Sequence, residues 1–170
     1  MHDFSELIQR TTIFSLDTLN NIQKNTLDNF ETNAKTPDVK TLQMIQLQKV
    51  IISVGMFSMF ESIIQKELEC KNGFEEAKKI LDSQGKIELK EEFCNFSLAI
   101  NVLKHGKGRS YEILLLKVDI LPFKLKLPDE SFFCEGDISE VSILIDVDDT
   151  FVLNCSKIIH NISLSLFPKL

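Results

Sequence analysis

Six residues near the middle of the chain combine types and spacings that can act on a phosphate ester: Asn101, Lys104, His105, Lys107, Arg109 and Ser110. Histidine exchanges a proton near neutral pH, as a base toward a ribose 2′-hydroxyl or an acid toward a leaving oxygen. A lysine beside it can stabilise the charge that builds on a phosphorane, and an asparagine can orient either group. At 3.6 residues per turn Ser97, Asn101, Lys104 and His105 share one side of a helix, at spacings of four, three and one. Gly106 then suits the positive-φ position that ends a helix, and Lys107 and Arg109 follow in a glycine-punctuated turn before Ser110, a capping residue type. Glycines and cations ahead of a helix can cradle a phosphate. The turn GKGRS does not match GxxxxGK[ST], so no P-loop is implied. The same features also describe a solvated polar helix end, with Lys and His favourably placed at the negative end of the helix dipole. No residue in the set demands a metal or a cofactor.

The helix that carries these groups must be anchored by its other side. Phe93, Phe96, Ile100 and Leu103 recur at spacings of three, four and three, a core-facing stripe within a helix over 87–105. Upstream, residues 3–32 read as a helix whose apolar stripe includes Leu16, Leu19, Leu27 and Phe30. Thr36-Pro37-Asp38 is a helix start. The helix it opens runs to about residue 70, apolar almost all round from Val50 to Phe60, and is expected to be the central buried one. Gly55 within it suits close helix packing, at roughly 1 kcal/mol of propensity. Its Met and Phe residues suit a core, or an apolar ligand pocket. Asn72 and Glu75 resemble a capping box opening a short helix that stops near Gly85. A fifth helix is expected from Ser110 through Leu115.

From Val118 the pattern changes. Phe123, Leu125 and Leu127 alternate with lysines between Pro122 and Pro128, a strand signature, and Val141 to Val147 reads as a second strand across a loop at 131–136. Asp146, Asp148 and Asp149 then precede a last helix. Such acids can hold a divalent cation. They also crowd helix N-termini for the sake of the dipole, which is the plainer reading here, since an EF-hand's glycine and distal Glu are missing. The expected fold is mostly α: an antiparallel bundle of five to six helices with a small β-hairpin-like excursion. It forms one domain over 1–170, made of a helical core at 1–117, a β/loop insertion at 118–149 and a C-terminal helix at 150–167.

A chain of 170 residues with a formal charge of −6 does not suit a broad, unspecific nucleic-acid surface, though a local basic site stays open. Arg109 is one of only two arginines, the other being Arg10. Cys70, Cys94, Cys134 and Cys155 have no CxxC spacing, which points to reduced thiols and a cytoplasmic protein. The longest uncharged run, the eleven residues from Val50 to Phe60, is too short to span a bilayer, so no membrane partner is expected. His160, among isoleucines, reads as a packing histidine.

The segment AINVLKHGKGRSYEIL, with the helix VGMFSMFESIIQKEL before it, resembles the motif region of HEPN-domain proteins. That resemblance implies a small, all-helical, often dimeric protein of the bacterial toxin–antitoxin or phage-defence type. Active members are metal-independent ribonucleases whose motif is an arginine, a polar residue, a short spacer and a histidine. Asn101 and His105 match the last two, while Ile100 stands where the arginine belongs, leaving Lys104 or Arg109 as substitutes. The resemblance implies His105, Asn101 and Lys104 as catalytic residues and Lys107, Arg109 and Ser110 as phosphate-binding ones. It further implies a homodimer whose two motif helices face each other, RNA or a nucleotide as ligand, and a cognate antitoxin or defence protein as partner. The alternatives are a catalytically inactive interaction or nucleotide-sensing module, and a purely structural helical protein.

Overall fold

The computed structural model describes residues 4–33, 36–128, 130 and 143–168. Six α-helices follow in order: α1 (Phe4–Asn33), α2 (Thr36–Glu67), α3 (Gly73–Ser83), α4 (Ile87–His105), α5 (Arg109–Leu115) and α6 (Asp149–Leu166), with one 3₁₀ turn at Val118–Ile120. The bundle is as expected, and most boundaries lie within a few residues of the sequence reading. Asn72 caps α3, its side chain accepting from the Glu75 N–H at 3.2 Å. The Glu75 carboxylate pairs with Lys78 at 2.7 Å.

The centre of the bundle is α6, which turns most of its length inward, including Phe151, Ile158, Ile159 and Ile162. It runs antiparallel to α1. Ser5 Oγ lies 3.1 Å from His160 Nδ1 at one end, and Asn20 donates to Asp149 at 2.7 Å at the other. This bears out His160 as a half-buried packing histidine. At 1.5 Å per residue α6 is about 27 Å long and α1 about 45 Å. Beyond Asn20, therefore, α1 and the first third of α2 run on past the start of α6 as a two-helix hairpin.

The hairpin departs from the expected pattern. The inward residues of α1 are Ser5, Thr12, Leu16 and Thr26, mostly small and polar, whereas Leu27 is exposed. Phe30 lies outside the described side chains. In α2, Ile45, Val50, Met56, Phe57, Phe60 and Ile64 are buried, but Met44, Leu47, Ile51 and Met59 face solvent, so α2 is half-covered rather than central. Gly55 packs against nothing, since a Cβ there would meet no atom within 4 Å. The close approach expected at Gly55 occurs at Gly73, where a Cβ would stand 2.9 Å from the Glu61 carbonyl oxygen.

The β-hairpin is not formed among the described residues. What exists is one isolated antiparallel bridge, Leu125 to Ile145, flanked by Lys126 N–H to Leu144 O at 2.9 Å and Asp146 N–H to Lys124 O at 3.0 Å. Pro122 and Pro128 confine the first segment, and two short strands alone gain too little to form a ladder. Side chains hold the segment instead. Phe123 packs on Phe96 and Phe151, with ring centroids 5.1 and 5.5 Å away. Ile145 and Val147 are fully buried, and Tyr111 donates to the Lys126 carbonyl at 2.6 Å. The expected loop at 131–136, with Cys134, and the start of the second strand lie outside the described residues.

Among the described residues one helix, α2, is long and apolar enough to cross a membrane by length and composition. The eleven-residue uncharged run underestimates it, because Lys49 interrupts the count while sitting inside the bundle, 2.8 Å from Asp149 Oδ1. Such a helix is here a wall of the core, with α3, α4 and α6 on its inner side.

Candidate functional site

Helix α4 is fixed by the stripe the sequence predicts. Phe93, Phe96 and Ile100 are buried and Leu103 is half-buried. Phe93 joins Phe57 and Phe74 at one end, and Phe96 joins Phe123 and Phe151 further along. The last turn is thereby held against the core while its polar side faces out. Gly106 ends the helix at φ +74°, ψ −147°, a conformation that glycine alone adopts without strain, and its N–H still reaches the Val102 carbonyl at 2.8 Å. Gly108 is different. Its φ of 167° is extended backbone, and it, not Ser110, is the residue ahead of α5. Ser110 lies inside the first turn of α5, and no side chain caps that seven-residue helix. The capping role expected of Ser110 is therefore absent.

The polar side of α4 divides in two. Asn101 and Lys104, with Ser97 behind them, line a groove of about 360 Å³ between α2, α3 and α4. Its other polar walls are Ser58 and Glu61 from α2 and Asn72, Glu75 and Lys78 around the start of α3. Ser97 is buried and its Oγ has no hydrogen-bond partner among the described residues. Lys78 is committed to Glu75, and that hydrogen bond with its charge holds the Glu75 carboxyl below its ordinary value. With two carboxylates facing two ammonium groups, the groove itself is no strong anion trap. His105 points elsewhere. It lies 100° round the helix from Lys104, is exposed, and does not line the groove.

Lys107 and Arg109 are exposed in the turn that follows. The side chains of Asn101, Lys104, His105, Lys107 and Arg109 have no hydrogen bond or ion pair to any described residue. Elsewhere Lys49 pairs with Asp149, Lys78 with Glu75, Lys79 with Glu76 and Lys90 with Asp82, whereas Lys40 and Lys66, like the tip residues, pair with no described residue. The end of α4 is thus an open cationic tip whose groups are free to meet a ligand. Missing from the sequence reading are the groove walls on α2 and α3. Nothing in their spacing relates Glu61 or Asn72 to α4; only the tertiary packing does.

The aspartates after the bridge serve the fold. Asp148 caps α6, accepting from the Phe151 N–H at 2.7 Å. Burial works to raise the Asp149 carboxyl, but Lys49 and Asn20 outweigh it and hold it below its ordinary value. Asp146 is pushed up, by burial first and the nearby Asp148 charge second. No cluster of three metal-ligating side chains occurs among the described residues. The Cys155 thiol is fully buried and pushed well above the usual thiol range, while Cys70 and Cys94 are half-buried.

No protein-family model matches this chain, and no curated protein or solved structure is significantly similar to it.

Proposed function

We propose that the chain is a HEPN-like cytoplasmic protein of the bacterial toxin–antitoxin or phage-defence type, and that it engages RNA through the open end of α4. One observation carries the reading: Lys104, Lys107 and Arg109, three cations within six residues, have no partner among the described residues and stand beside exposed Asn101 and His105. In an acidic chain such a cluster concentrates positive potential where phosphates can reach it. As a metal-independent ribonuclease, His105 would accept the 2′-hydroxyl proton or deliver one to the leaving oxygen. Lys104 and Arg109 would neutralise the charge gathering on phosphorus. In a homodimer each copy would contribute its own set.

A second reading, a non-catalytic interaction or nucleotide-sensing module, is favoured by Ile100. The position of the motif arginine is 3% exposed and faces the core, so no cation can act from there. Among the described residues His105 also lacks the orienting partner that general bases usually have. The same cations would then hold a nucleotide phosphate or a partner protein's acidic segment.

The two readings separate in one assay, in which labelled RNA is incubated with purified protein in EDTA. Cleavage by the wild type that disappears in His105→Ala supports the ribonuclease. Absence of cleavage, with a nucleotide or protein partner co-purifying and lost in Lys107→Ala/Arg109→Ala, supports the module. If both double-alanine changes, Lys104/Arg109 and Lys107/Arg109, leave cleavage and binding unchanged, the cationic tip has no role.

A further inference from the structure

The outer side of the α1–α2 hairpin is a second surface, which meets the α4 groove only at Glu61. Leu7, Phe14 and Ile22 of α1 and Met44, Ile51 and Met59 of α2 are all exposed, Phe14 by 72% and Met44 by 67%. Both sets follow the spacing seven, eight, so each keeps to one side of its helix. Where the helices meet, the same side holds an apolar groove of about 350 Å³ lined by Phe14, Leu19, Ile22, Met44, Ile45 and Ile52 among others. The exposed apolar area is on the order of 600 Å², at the upper end for a monomer's largest patch and most of the roughly 800 Å² per partner that a stable interface buries.

Charge says what fits there. From Thr41 to Phe60 the only charged residue of α2 is Lys49, and it is buried against Asp149. The uncharged stretch is bracketed by Lys40 at one end and Glu61 at the other, neither of them paired to a described residue. Those two ends are complementary to each other when the stretch is laid antiparallel on itself. We propose that this face is the interface with a second copy of the chain, the two α2 helices crossing antiparallel about Ile51. In that register Met44 of one copy lies against Met59 of the other, and Leu47 enters the open space above Gly55. Lys40 reaches Glu61, so the opposite charges close the two ends. The helix-interior glycine, which packs against nothing within its own chain, then has a packing role. Isologous contact of this kind is the commonest route to a dimer.

This inference does not rest on the reading of the α4 tip, and it differs from the dimer that the family resemblance implies. Glu61 is ten residues from Ile51, about 15 Å along the helix. The two α4 ends therefore lie well apart, each beside the other copy's hairpin.

The test is the solution mass of the full chain by light scattering and sedimentation, with circular dichroism as the folding control. The wild type is expected at twice 19.5 kDa. Ile51→Lys, at an exposed position, puts two ammonium groups on the symmetry axis and is expected to give a folded monomer. Lys40→Glu and Glu61→Lys are each expected to weaken association several-fold, and the two together to restore it. A wild type that is monomeric up to its solubility limit overturns the proposal. So does a dimer that survives Ile51→Lys, or a double reversal that restores nothing. Flotation of a monomeric wild type with anionic phospholipid vesicles, abolished by Ile51→Lys, would assign the face to a membrane and also overturn it. RNA cleavage enters none of these readouts, so failure of the α4 proposal leaves this one standing.

Discussion

Lys49 and Asp149 form an ion pair that joins α2 to α6, and its two halves should not be equivalent. Lys49 is 5% exposed, whereas the Asp149 side chain keeps 36% of its surface at the start of α6 and also accepts from Asn20. Asp149→Asn preserves the shape and leaves an ammonium group buried without its counter-charge. Breaking a buried pair in this way costs about 3–5 kcal/mol, and the exposure of Asp149 discounts that to about 2–3 kcal/mol. Lys49→Met removes the buried charge with its partner still solvated, fills a similar volume, and should change stability by no more than about 1 kcal/mol. For a chain of this size the first variant should melt roughly 5–10 °C lower and the second within about 4 °C of wild type. The double variant should recover toward Lys49→Met, because the two sites are coupled. The pH dependence has a definite sign. The folded Asp149 carboxyl sits below its ordinary value of 3.8, so its stabilisation is complete above that pH and is lost as pH falls through the lower folded value. Asp146, raised in the fold, works in the opposite sense in the same window. The comparison must therefore be the difference between wild type and Asp149→Asn, followed by denaturant titration from neutral pH down to about 3. Equal costs for the two single variants, or a difference that grows on acidification, would refute the reasoning.

Two further outcomes follow from the geometry around α4. Gly106→Ala should cost about 1–2 kcal/mol through backbone strain alone, since a Cβ there meets no atom within 4 Å, whereas Gly108→Ala, in extended backbone, should stay within about 0.5 kcal/mol; paired thermal melts check both. Phe96→Ala should cost about 3–5 kcal/mol, because its ring is fully buried between Phe123 and Phe151, and limited proteolysis should then show earlier cutting in the segment 118–128, which Phe96 helps hold down.

Much of the fold was legible because local signals set it. Pro37 near the start of α2, Asn72 with its side-chain oxygen accepting from the Glu75 N–H, Gly106, and Asp148 before an apolar run each fix a helix end within a few residues. The apolar spacing of α4 likewise gave its buried side correctly. The failures came where a long-range partner decides. Phe123, Leu125 and Leu127 alternate as a strand does, yet only Leu125 pairs, because Phe123 is drawn onto Phe96 and Phe151 instead of a neighbouring strand. Hydrophobicity alone placed α2 at the centre, but α6 holds that place, and the apolar residues of α2 are shared between a core side and an open side. Periodicity reports that a side is apolar; it does not report whether the chain itself supplies the cover.

The same limit explains the site. Spacing grouped Asn101, Lys104 and His105 by helical angle. The 100° step from Lys104 to His105 is enough to put them on different surfaces once α2 and α3 build a groove on one flank only. A proton-transferring histidine and the residues meant to steady the phosphate would then have to be bridged by the ligand. On the proposed reading, RNA draped over the end of α4 would do this and a small metabolite inside the groove would not. The length of the ligand is accordingly the discriminating variable. If an oligonucleotide binds and a mononucleotide does not, the divided tip works as one surface. If the mononucleotide alone binds, the groove with Asn101 and Lys104 is the site, and His105 is a bystander.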